Sequence, residues 1–123
     1  MTWTDKAQMA ETEAREVLKA LPTPLRDRVA PLPVTCQPVP SPELVADGIE
    51  ADTLGLFVGP DFGHEVASVA PLAPQIFLFI NNLWEFANGD PEIFKEEVRT
   101  TVLHELGHYL GLDEDDLIDR GLE

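Results

Sequence analysis

Between Asp90 and Gly111 the chain carries its longest uninterrupted helical pattern, and that stretch constrains everything around it. Asp90-Pro91-Glu92 reads as a helix start. The aspartate accepts from the first free N–H groups, proline has its φ already set for the first turn, and the glutamate complements the positive end of the helix dipole. Val98, Val102, Leu106 and Leu110 follow at four-residue spacing and make one apolar stripe. Gly111 stands where a left-handed residue ends a helix. On the side away from the stripe come His104 and His108, with Glu105 beside the first. Four residues advance about 6 Å and return almost to the same face, so the two imidazoles leave the helix together. Two neutral ring nitrogens so placed grip one zinc ion at about 2.0–2.1 Å each. The neighbouring carboxylate reaches a metal-bound water without itself becoming a ligand. A metal lowers the pKa of that water towards ~7, and the carboxylate then takes its proton as the water attacks a polarised carbonyl. The spacing predicts zinc-dependent hydrolysis, with Glu105 as general base.

The other elements are short, because 11 prolines punctuate the 123 residues. From Thr4 to Leu21 the apolar positions Ala7, Ala10, Ala14, Val17, Leu18 and Leu21 recur at helical spacing, which predicts an amphipathic helix capped by Thr4 and stopped by Pro22 and Pro24. A short turn is expected over Leu25–Ala30. Val34–Val39 is strand-like but lies among prolines, so it reads as an edge strand or extended segment. Ser41-Pro42 starts a short helix that ends near Asp47-Gly48. Leu54–Val58 reads as a strand with Gly55 inside it. Asp61–Pro74 reads as loop, with a hairpin extension over His64–Val69 as the alternative. Gln75–Ile80 is the most apolar strand and the expected central one. Asn81 and Asn82 are expected to cap a short helix, Leu83–Ala87, closed by Asn88-Gly89, with Trp84 and Phe86 in the core around the zinc helix. A last short helix is expected over Asp113–Arg120. The length suits one domain, residues 1–123.

Composition narrows the partners. The net charge is −15, from 23 acidic and 8 basic residues, and such a surface repels a phosphate backbone, so nucleic acid is not an expected partner. Cys36 is the single cysteine; it makes neither an internal disulfide nor a thiolate metal site, and is expected as a half-buried strand residue. The N-terminus lacks the basic and apolar regions of a secretory signal, and no apolar run approaches the ~20 residues of a membrane span, which predicts a cytoplasmic protein that does not enter a membrane.

Two helix histidines leave zinc in need of a third protein ligand and an open position for water. Glu114 falls at the eleventh position of H-E-x-x-H-x-x-G-x-x-[ligand], and Asp113 and Asp115 are the alternatives. His64, the remaining histidine, is expected as a solvated loop residue; a third ligand or an oxyanion donor is its other role. Tyr109 turns away from the metal and is expected in the core or at its rim.

From about Leu54 onwards, and most sharply in EEVRTTVLHELGHYLGLDEDDL with the preceding IFLFINNLWEF, the sequence resembles the small bacterial zincin-like metallopeptidases. The resemblance implies an α+β fold, in which a small mixed sheet packs on the active-site helix beside an N-terminal helix. It implies Zn2+ as cofactor and a peptide or protein as substrate. In this family the third-ligand position usually holds aspartate, where this chain has Glu114. No methionine follows the motif, so a Met-turn is not expected. By the same resemblance Leu54–Val58 would be the edge strand that lines the site and pairs with an extended substrate. The alternative to a peptidase is a non-catalytic metal-binding or interaction module on the same scaffold, completed by a partner protein.

Overall fold

The computed structural model describes residues 1–29, 32–59 and 74–110. The chain opens with α1 (Trp3–Ala20) and α2 (Thr23–Val29), then β1 (Val34–Gln37), α3 (Pro42–Ala46) and β2 (Gly55–Val58). It continues through β3 (Gln75–Phe79), α4 (Ile80–Phe86) and α5 (Pro91–Leu110). The fold is α+β: a three-stranded mixed sheet, an N-terminal helix, and a last described helix that carries the His–Glu–His group.

The strand order is β1-β3-β2, which makes Gln75–Phe79 central as its apolar run requires. β1 pairs with β3 in parallel and β2 pairs with it antiparallel. The proline-flanked Val34–Gln37 lies at one edge, where a missing ladder donor does least harm. Cys36 sits within it, half-buried, as expected.

α1 packs against α5. Its buried face is Ala10, Ala14 and Val17, small enough for the two helices to lie close. An ion pair, Arg99 to Glu13 at 3.5 Å, crosses the same seam. The core joins these residues to Ile76 and Leu78 of β3, Ile80 and Leu83 of α4, and Phe94, Val98, Val102 and Leu106 of α5, nearly all at 0 or 1% exposure. Trp84 stacks edge-on against Phe94 at 5.3 Å, with the Lys6 ammonium 4.6 Å above its ring.

Three details differ from the sequence reading. The first helix is capped by Thr2 and not by Thr4: the Thr2 hydroxyl accepts from Asp5 N–H, and the Asp5 carboxylate accepts from Thr2 N–H in return. That reciprocal pair satisfies two orphan donors, which Thr4, already inside the helix, cannot do. Asn81 and Asn82 do not cap α4 but lie in its first turn, because the helix starts straight out of β3 at Ile80. Phe86 is 58% exposed and takes no part in the core that Trp84 joins. Asn88 and Gly89 close α4 with φ of 55° and 74°, a left-handed pair suited to asparagine and glycine. Gly111, the expected helix over Asp113–Arg120 and the segment Asp61–Ala73 lie outside the described residues.

Candidate metal centre

The helix that carries the site is well anchored at its start. Asp90 Oδ1 accepts from the N–H groups of Glu92 and Ile93 at 2.9 and 3.3 Å, so the first turn forms as its sequence predicts. Two ridges of α5 are buried. The first, Phe94-Val98-Val102-Leu106, enters the core. The second, Thr101-Glu105-Tyr109, lies against β2. His104 and His108 stand on the remaining face, exposed, with ring centroids 5.0 Å apart.

Ligand atoms of His104, Glu105 and His108 all lie within 4.8 Å of one another. Small side-chain rotations over that span bring two imidazoles onto one ion, and nitrogen with carboxylate oxygen is a donor set that suits a divalent metal. Glu105 differs from its neighbours in being buried, at 8% exposure. Its Oε1 accepts a hydrogen bond from the Phe57 N–H at 2.7 Å. Burial raises the pKa of this carboxyl above its usual range, while the Phe57 N–H and the nearby His108 and His104 pull the other way.

The strand register explains why Phe57 is available. Phe79 N–H donates to the Leu54 carbonyl, so Leu54, Leu56 and Val58 turn their backbone groups to β3. Gly55 and Phe57 turn theirs to the outer edge, where Glu105 meets the second of them. The Phe57 ring covers the same seam, 5.5 Å from Tyr109, which is buried as expected. Asn82 secures the approach to this strand by donating from Nδ2 to the carbonyls of Ala51 and Thr53 at 2.8 and 2.9 Å.

A groove of about 700 Å³ is lined by Leu54 and Gly55 on the β2 side and by α5 residues as far as His104 and Glu105. Among the described residues Thr101 and Leu103 contribute to its walls, with Glu96, Glu97 and Arg99 towards the far end.

The structure thus gathers His104, Glu105 and His108 as the spacing predicts. Glu114, its alternatives Asp113 and Asp115, and His64 lie outside the described residues. Sequence reasoning missed Phe57, Gly55 and Thr101 as partners of the site. A glycine inside a strand signals close approach of another element, and 101-105-109 is itself a four-residue ridge; together those signals point to the contact.

Comparison with known proteins agrees with this geometry. A family model described as zincin-like metallopeptidase matches residues 29–122, most of the chain, including the whole sheet and the helix with the His–Glu–His group. No curated protein matches. With that coverage and that group in place, the chain belongs to the zincin-like metallopeptidase family.

Proposed function

We propose that this protein hydrolyses peptide bonds, with zinc held by His104, His108 and Glu114 and with Glu105 as general base. The observation that carries the reading is the Glu105 carboxylate: buried, fixed by one backbone N–H, beside two exposed imidazoles, in the lining of a groove. When bound, zinc supplies a water of lowered pKa and polarises the scissile carbonyl. The two imidazoles offer ring nitrogens from one helix face, so little chain entropy is lost in bringing them together. Glu105 needs to be ionised to accept a proton and basic enough to keep it until the leaving amine takes it. Burial raises its pKa above the ordinary carboxylate range against the pull of the Phe57 N–H and the histidines, which favours holding a proton once it is taken.

The groove has the volume of a small-ligand site, which suits a short peptide. A catalytic role accounts for a groove that reaches a buried carboxylate held by a backbone N–H beside the two imidazoles; a bare metal-binding module requires neither.

The test is zinc content of the purified protein followed by cleavage of a library of quenched peptides, for the native chain and for Glu105→Gln. Glutamine keeps an oxygen for the Phe57 N–H but cannot take the proton. The expected result is about one zinc per chain in both proteins, with cleavage reduced at least ~10²-fold in the variant. Zinc bound without cleavage by the native chain sinks the peptidase reading, and failure to bind zinc sinks the metal centre as well. In the same assay Glu114→Ala is expected to weaken zinc binding more than Asp113→Ala or Asp115→Ala.

A further inference from the structure

We propose that Gly55 and Thr101 are a positioning pair for Glu105: the missing side chain at Gly55 lets β2 seat on α5 at the height where the Phe57 N–H meets the Glu105 carboxylate. The inference rests on the reading of Glu105 as the general base for its catalytic consequence, though not for its geometry. A Cβ built on Gly55 would run into Cγ2 of Thr101, and would also press on the Phe77 carbonyl at 3.2 Å. The Glu105 Cγ lies 3.7 Å from the same point. Strand and helix are therefore in contact at Gly55, with no room for a methyl group between them.

The contact sets a register between the two elements. From Gly55 to Phe57 a strand advances about 6.8 Å, and from Thr101 to Glu105 a helix advances about 6 Å. Seating Gly55 on Thr101 thus carries Phe57 to Glu105 two strand residues later, with Tyr109 one turn further under the Phe57 ring. Thr101 is itself buried, at 8% exposure, so it has little freedom to move aside. The hydrogen bond so placed is short, 2.7 Å, and charge-assisted whenever the carboxylate is ionised. A methyl group at Gly55 lifts the strand, and the Phe57 N–H, whose hydrogen bond has no slack, leaves Glu105. The carboxylate then loses its orientation while both histidines keep theirs, since these lie on the exposed face of the helix.

Three variants separate this device from a general loss of packing. Gly55→Ala introduces the clash. Gly55→Ala with Thr101→Ser removes the Cγ2 methyl that the new Cβ meets, and Gly55→Ala with Thr101→Val keeps that methyl while removing the hydroxyl. The first readout is the Phe57 amide in a ¹H–¹⁵N spectrum of the metal-free protein. In the native chain its proton is expected downfield and slow to exchange, and it should move on Glu105→Gln. The signature should vanish in Gly55→Ala, return with Thr101→Ser and stay lost with Thr101→Val. The second readout is peptide cleavage, where Gly55→Ala should lower kcat roughly 10²-fold at nearly constant KM and Thr101→Ser should restore most of it. Zinc content should be the same in all.

An unchanged Phe57 amide in Gly55→Ala overturns the proposal, as does rescue by valine as good as by serine. If Gly55→Ala does not fold, the serine double variant decides: a folded protein with the native Phe57 signature supports the pairing, and a second unfolded chain overturns it. A native chain that cleaves nothing while the amide follows this order removes the peptidase reading and leaves the positioning pair standing.

Discussion

Burial and hydrogen bonding pull the Glu105 carboxylate in opposite directions, and burial dominates, so its pKa lies above the ordinary 4.5. Folding then favours the protonated form. The stabilisation is fully present below the unfolded pKa and is lost as pH rises through the higher folded one. Glu105→Gln abolishes that titration and retains an acceptor for Phe57. In chelator, the variant is therefore expected to melt above the native chain at about pH 7, with the gap closing towards about pH 4. Melting curves across that range check it, and a variant that melts lower at neutral pH contradicts burial as the dominant cause. Cys36 shows the same physics away from the site. Burial in β1, with Glu11 nearby, pushes its thiol up to about 11 from 9.0. At about pH 8 the folded thiol should react with iodoacetamide roughly 10²-fold more slowly than the same thiol in denaturant, since only the thiolate reacts. Comparable rates in the two states would show that β1 opens readily.

At the scale of elements, α5 is the part that local rules determine best. Removing its cap with Asp90→Ala frees the two N–H groups now held by Oδ1 and should cost about 1 kcal/mol. A lower denaturant midpoint at unchanged slope would show it, whereas a change within error would mean that packing of Phe94 alone sets the first turn. The rules that made this helix legible are local ones: a cap, a proline, a four-residue stripe and a terminal glycine. β3 was legible for a related reason, since four large apolar residues in a run of five suit a covered strand. The cap at Thr2 was hidden because Thr4 stands two residues on and competes for the same role by sequence alone. The role of Asn82 was hidden more deeply. It reaches back 31 and 29 residues to Ala51 and Thr53, and no local pattern records a hydrogen bond of that span. The same holds for the Phe57–Glu105 contact, 48 residues apart, so the chemistry of the motif was readable while the strand that holds its base was not.

For the molecule as a whole, the relation between the proposed metal and the fold follows from where the two helix histidines sit. His104 and His108 belong to one continuous helix whose inner ridge is already buried, with Val98 and Val102 at 0% and Leu106 at 1% exposure. The helix is therefore supported by its core and by its capped start, and zinc has no folding step of its own to drive on this face. That differs from small zinc modules, whose ligands converge only when the metal organises the chain. Through these two histidines zinc should act on stability by mass action, adding about 4 kcal/mol when free metal exceeds its Kd by ~10³. The net charge of −15 adds a long-range attraction for the cation, so the gain should shrink as ionic strength rises. Treating the zinc-loaded protein with a strong chelator is expected to lower the melting temperature while leaving the far-ultraviolet circular dichroism at room temperature unchanged, and restoring zinc should reverse the shift. Loss of helical signal on chelation would contradict this account, because it would mean that the buried ridge and the Asp90 cap do not hold α5 without the metal.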